Sequence, residues 1–133
     1  MLGTPHLKSK LDNYTIDKEL NTVTVNDIKT IGRVVSDIEL NINKYHYHRE
    51  FGMYSYLLKL CAEKFYGLSN PKIMGNYLVV STIPNYYSKV RSITWQELNA
   101  GFHEFKTLLK YAAYNIGYKN FSLEHEESGK FKF

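Results

Sequence analysis

The stretch Lys44–Tyr66, KYHYHREFGMYSYLLKLCAEKFY, decides the fold and contains five tyrosines, two phenylalanines and two histidines. One series of its residues recurs at intervals of four and three: Tyr47, Phe51, Tyr54, Leu58, Cys61 and Phe65. At about 100° per residue this series lies on one face of a helix, which predicts an amphipathic helix ending at Gly67. We expect this face to be core. The opposite face, with Tyr45, His48, Tyr56 and Lys59, is expected to lie in solvent.

A second helix is predicted from Thr94 onward, where Thr94-x-x-Glu97 fits a capping box. Its apolar stripe contains Trp95, Leu98, Phe102, Phe105, Leu109, Ala112 and Ile116. Gly117 is expected to end it.

The N-terminal half predicts two short strands around Lys18–Asn21 and then a further helix. Asn26 or Asp27 would cap that helix, which we expect to end near Asn43. Its apolar positions have helical spacing: Ile28, Ile31, Val35, Ile38 and Ile42.

A strand or hairpin is predicted at 72–83, where Pro84 ends the run, and a strand at 121–125 with a return strand at 131–133. Asn85–Ser92 reads as a basic, aromatic loop or a short strand. The expected fold is a single α+β domain over residues 1–133, with a loose segment at 1–12. About three helices would pack with a small, mostly antiparallel sheet.

Composition limits the function class. The chain has one cysteine, Cys61, and no apolar run long enough to span a membrane, so we expect a cytoplasmic protein without a disulfide. Abundant Phe, Tyr, Ile, Asn and Lys have A/T-rich codons, which suggests a low-GC source such as a phage or mobile element. Between Phe65 and Gln96 there is no acidic residue. A basic middle favours nucleic acid or an acidic partner.

No nucleotide-binding or nucleophile-elbow motif is present, and no histidine or cysteine pair has the spacing of a zinc site. We therefore expect no cofactor, and the missing motifs favour a protein without enzymatic activity.

The triplet His46-Tyr47-His48 resembles the His-hydrophobe-His signature of the HUH endonucleases, and Tyr86-x-x-Lys89 follows it in the order of that family. The resemblance implies His46 and His48 as metal ligands and Tyr86 as the nucleophile. In that family the pair lies on a strand, where residues i and i+2 share a face. On a helix the two histidines would lie about 200° apart, so this hypothesis ranks last of three.

The leading hypothesis is a non-enzymatic binding protein, for example an inhibitor of host defence acting on a host protein or nucleoprotein complex. The second is a direct DNA- or RNA-binding module, and a homodimer is a further partner hypothesis. Tyrosine beside Lys or Arg suits base stacking or protein hot spots. The candidate binding residues are Tyr45, His48, Arg49, Tyr56, Lys59, Tyr86, Tyr87, Lys89, Arg91, His103, Lys106, Lys110 and Tyr114.

Overall fold

The architecture is that of a computed structural model, which describes residues 7–118. The elements follow in the order β1 (Asn13–Asp17), β2 (Thr22–Ile31), a short 3₁₀ helix (Val35–Asp37), α1 (Ile38–Tyr45), α2 (Tyr47–Phe65), β3 (Lys72–Ser81), β4 (Ser88–Ser92) and α3 (Trp95–Asn115). Within residues 7–118, three α-helices and one four-stranded sheet confirm the predicted α+β class.

The sheet has the strand order β1-β2-β3-β4. Both outer pairs are antiparallel, and the central β2–β3 pair is parallel. Parallel strands need a crossover connection, and α1 and α2 supply it between β2 and β3. The mixed sheet is therefore antiparallel in two of its three pairings.

The helices cover one face of the sheet. Odd-numbered residues of β2 and β3 point to that side and, apart from the half-buried Lys29, are buried, among them Val23, Val25, Tyr77 and Val79. The Phe51 ring of α2 meets the Tyr77 ring edge-on, with centroids 5.1 Å apart. This contact joins α2 to the middle of the sheet.

Two glycines let α2 and α3 approach until their backbones touch. A β-carbon at Gly52 would collide with the backbone of Phe102, and one at Gly101 with the carbonyl group of His48. One turn further along, Tyr56 stacks on Phe102, with ring centroids 5.4 Å apart. Tyr56 and Phe105 are the buried members of this second core cluster.

The helix predicted over 28–43 is wrong in its first half. Residues 22–31 form β2, Asp27 is buried within that strand, and helix α1 begins only at Ile38. Thr22–Ile31 is rich in β-branched residues whose burial alternates with period two, as a strand against a helical layer requires. Ile28 and Ile31 fitted helical spacing only by coincidence.

The predicted α2 stripe needs a second correction. Cys61 and Phe65 are exposed, whereas Tyr56 and Lys59 on the supposed solvent face are buried. Because α2 packs against both the sheet and α3, its buried arc is wider than a single stripe and is rotated toward α3.

Helix α3 begins and ends where the sequence predicts. Thr94 and Glu97 form the predicted capping box, and Gly117 adopts a positive φ of 107° just beyond the helix. Trp95, Ala112 and Ile116, predicted as core, are exposed. The strands predicted over 121–133, and half of the loose segment predicted over 1–12, lie outside the described residues. None of the helices in the described part is both long and apolar enough to cross a membrane.

Candidate functional site

The junction between α1 and α2 is built on His46. Its backbone is left-handed, with φ 54°, so α1 ends at Tyr45 and α2 starts in a new direction at Tyr47. Few residues other than glycine adopt this conformation, and it is enriched at functional sites. The break separates His46 from the regular helical phase of α2.

The α2–α3 crossing brings Glu104 to this junction. Glu104 Oε2 lies 3.0 Å from His48 Nε2, 3.3 Å from Arg49 Nε and 3.9 Å from His46 Nδ1. The two imidazole rings are neighbours, with centroids 5.8 Å apart and planes inclined at 50°. One donor atom from each of His46, His48 and Glu104 lies within 4.8 Å of the others.

Glu104 is held as a carboxylate. Partial burial by itself would raise its pKa, but the hydrogen bonds and charges of His48 and Arg49 outweigh that effect and lower it. The cluster is half open to water: the side chain of His46 is 48% exposed and that of His48 is 17% exposed. An anionic oxygen and two imidazoles that are accessible to solvent can bind a cation.

The expectation that helical phase separates the two histidines is therefore wrong. They lie side by side, although not on a strand, because His46 stands outside α2. Tyr86 lies elsewhere, in the loop between β3 and β4, with a left-handed backbone of φ 48°. Among the described residues, no hydrogen bond, ion pair or ring contact joins Tyr86 to His46, His48 or Glu104.

Two residues predicted for the binding surface belong to the interior. Tyr56 is 2% exposed, between the rings of Phe102 and Phe105. Lys59 is also 2% exposed, its Nζ donates to Asn70 Oδ1 at 2.8 Å, and burial lowers its pKa. Both point toward α3 or the start of β3, which periodicity within α2 could not reveal.

Arg91 is used inside the fold. Its guanidinium donates from Nε to Glu39 Oε1 at 2.7 Å, from Nη2 to Glu39 Oε2 at 2.9 Å and from Nη1 to Glu97 Oε1 at 2.7 Å. These two ion pairs raise the pKa of Arg91 and join β4 to α1 and α3. A nucleic-acid or protein partner would have to compete with both carboxylates for this side chain.

The remaining predicted residues are spread over three regions. Tyr45 is exposed at the end of α1 and stacks on Tyr47, with centroids 5.7 Å apart. Tyr86, Tyr87 and Lys89 are exposed in the β3–β4 loop and on β4. The α3 residues share one helical face: His103, Lys106, Lys110 and Tyr114. Because Tyr56 and Lys59 are buried, the predicted residues do not all belong to one exposed surface.

A buried polar network underlies the N-terminal half of α2. Asp27 is 4% exposed and forms an ion pair with Lys29 at 2.8 Å. Lys29 also lies 3.2 Å from Glu50, whose other oxygen accepts from the Tyr54 hydroxyl. Burial raises the pKa of Asp27 to about 6, against the opposing effect of Lys29. This network joins β2 to α2.

The second face of the sheet carries no helix in the described part of the chain. On this face, residues that are paired across neighbouring strands form rows perpendicular to the strands. The central row is a ladder of side-chain hydrogen bonds in which Asn26 donates to Asn13, Asn76 donates to Asn26 and Ser92 donates to Asn76, at 2.9–3.0 Å.

The next row is aliphatic and consists of Ile28, Leu78 and Val90. Ile28 is 52% exposed and Val90 is 63% exposed. We call this side the open face.

Sequence reasoning missed Glu104 and the open face. Glu104 lies on α3, and nothing local to that helix indicates a contact with α2. The open face was hidden because Ile28 was assigned to a helix. The alternation of Thr22–Ile31 was the signal that could have found it.

No protein-family model matches this chain, and a search of curated proteins finds no match.

Proposed function

We propose that this protein is a non-enzymatic binding protein whose open face binds another protein. The observation that carries the proposal is the aliphatic row Ile28–Leu78–Val90, which lies in the middle of a four-stranded sheet without a described helix above it. Most α+β sheets of this size bury one face and leave a polar face in water. A contiguous apolar row on the second face is typical of an interaction surface.

The chemistry of the open face favours a protein over a nucleic acid. Its inner rows hold Asn, Thr, Ser, aliphatic side chains and Met74, and its charged residues are Asp17 and Lys72 in the last row. Nucleic-acid surfaces combine cations with aromatic platforms, and this face has no aromatic ring on β1 to β4. Protein interfaces have an apolar, uncharged centre and a polar rim.

The amide ladder supports the proposal through preorganisation. Asn13, Asn26, Asn76 and Ser92 are already fixed by one another, so little side-chain entropy is lost when a partner covers them. The partner we propose presents aliphatic side chains and no net charge to the row beside the ladder.

The low-GC source that the composition suggests indicates what kind of partner to expect. Within this proposal the chain is a phage or mobile-element accessory factor inside a low-GC host cell, and the partner is a host protein or a protein of a host nucleoprotein complex. Inhibition of host defence is the example that fits a small factor without catalytic motifs.

The experiment compares the wild-type chain with an Ile28→Glu/Val90→Glu double variant and a Leu40→Glu control, which alters an equally exposed aliphatic residue on α1. Each purified protein is used to capture partners from a low-GC bacterial lysate, and the captured protein is then purified and its Kd measured. The expected result is at least about a hundredfold loss for the double variant and an unchanged Kd for Leu40→Glu.

Three results would contradict the proposal. One is a captured protein that binds the double variant as tightly as wild type. Another is gel filtration showing a homodimer that the double variant dissociates, since the open face would then bind a second copy. The third is salt-dependent retardation of oligonucleotides without any stoichiometric protein partner, which would favour the nucleic-acid hypothesis.

A further inference from the structure

We propose that His46, His48 and Glu104 bind a divalent transition-metal ion of the zinc class. Two imidazoles and one carboxylate are a ligand set that suits Zn²⁺, with an open fourth position. The site lies on the α1–α2 junction and α3, on the helical side of the sheet, and is independent of the open face.

The distances are close to those that zinc requires. With metal–ligand bonds of about 2.0–2.1 Å, donor atoms around a tetrahedral ion lie roughly 3.3 Å apart. The His48 Nε2–Glu104 Oε2 distance of 3.0 Å already fits this spacing. His46 Nδ1 is 3.9 Å from the same oxygen and has to approach it by about 0.6 Å, and the donor atoms of the two histidines, which lie within 4.8 Å of each other, have to approach by up to about 1.5 Å. A rotation of the exposed His46 ring supplies a movement of this size.

Two features of the fold bring the three ligands together. The left-handed backbone of His46 turns its imidazole toward His48, although an unbroken helix would separate the two by about 200°. Gly101 lets α3 touch the first turn of α2, which brings Glu104 next to both rings. Ligands from two separate elements then converge on one point.

Arg49 modulates the site. Its Nε lies 3.3 Å from the oxygen of Glu104 that the metal would take, so a bound ion and the guanidinium compete for the same carboxylate. Removing this cation should strengthen metal binding. A purely structural salt bridge between α2 and α3 would give no such gain.

The test uses the untagged full-length chain, titrated with ZnCl2 in a calorimeter and with Co²⁺ in an absorption spectrometer. The expected result is one Zn²⁺ per chain and the visible absorption of a four- or five-coordinate Co²⁺ ion. His48→Gln and Glu104→Gln should each weaken Zn²⁺ binding at least about tenfold. His46→Gly should do the same while keeping the left-handed backbone, which glycine adopts readily.

The matched control is His103→Ala, an exposed histidine next to Glu104 on α3 but outside the cluster. It should leave the Kd unchanged, and Arg49→Gln should lower the Kd by about twofold to tenfold. Circular dichroism of each variant separates loss of a ligand from loss of the fold. The proposal is overturned if folded wild type binds no Zn²⁺, or if the three ligand variants bind it as tightly as wild type. It also fails if His103→Ala abolishes binding to the same extent.

Discussion

The backbone of Gly101 packs directly against the carbonyl group of His48, with no room for a side chain between them. This contact fixes the distance between α2 and α3. It also decides that Glu104, three residues further along α3, reaches His48 Nε2 at 3.0 Å. One glycine on α3 therefore determines both the packing of the second core cluster and the geometry of the proposed metal site.

Gly101→Ala should destabilise the protein by at least about 2 kcal/mol, because the new β-carbon would overlap the His48 carbonyl and force the helices apart. An exposed helical glycine would instead gain stability from the same change. Urea denaturation measures the difference. Gly32→Ala is the control, since its nearest neighbour would be Thr82 Oγ1 at 3.9 Å. Equal stability of Gly101→Ala and wild type would contradict the close crossing.

Tyr56→Ala should lower the free energy of unfolding by about 3 kcal/mol, as expected when a buried aromatic residue is removed from a packed cluster. Tyr45→Ala removes the same side chain from an exposed position and should change it by less than about 1 kcal/mol. Chemical denaturation of the two variants side by side checks the assignment. If Tyr56→Ala left the free energy of unfolding almost unchanged, Tyr56 would belong with the exposed candidate binding residues instead of the core.

Arg91→Lys should destabilise the protein by about 1–2 kcal/mol although it keeps the charge. The planar guanidinium donates to both oxygens of Glu39 and to Glu97, and a single ammonium group cannot reproduce this arrangement. Lys89→Gln, at an exposed neighbouring position, should stay within about 0.5 kcal/mol of wild type. Thermal and urea unfolding give both values. If Arg91→Lys matches wild type, the two ion pairs contribute little, and Arg91 becomes available to a partner.

Asp27 should make stability depend on pH between about 4 and 6. Its pKa is 3.8 in the unfolded chain and about 6 in the folded protein, so the folded state binds the proton more tightly over this interval. The stabilisation is fully present below pH 4 and is lost as pH rises through 6. Relative to Asp27→Asn, wild type should lose about 2–3 kcal/mol over this range.

Urea denaturation of wild type and Asp27→Asn at pH 4, 5, 6 and 7 isolates this contribution, because the other titrating groups are common to both proteins. A stability difference that stays constant from pH 4 to pH 7 would show that Asp27 keeps an ordinary pKa.

Much of the fold was predictable because local signals and tertiary context agree. The Thr94–Glu97 capping box, the end of α2 at Gly67 and the strand before Pro84 are set by backbone chemistry within a few residues. The predicted helix was wrong before Ile38, most clearly over residues 28–31, which belong to β2. There, isoleucines at helical spacing also fit a strand, and the choice depends on pairing with β3, which lies far away in the chain.

The candidate site was less predictable. Helical periodicity within Lys44–Tyr66 assigns faces correctly only if the helix is continuous and packs against one neighbour. His46 breaks the first condition through its left-handed backbone, and α3 breaks the second by packing its Phe102 and Phe105 rings on Tyr56. Both facts depend on contacts with residues outside the segment.

The sequence by itself determined where α2, α3, β1, β3 and the turns lie, since capping, glycine, proline and apolar spacing act over one or two turns. Only the tertiary structure decided which residues share a site. His46, His48 and Glu104 meet because two glycines let α2 and α3 touch, and Ile28, Leu78 and Val90 form one row because β3 pairs in parallel with β2 and antiparallel with β4. Contacts between elements distant in the chain have no local signature, so no pattern within one segment could have specified them.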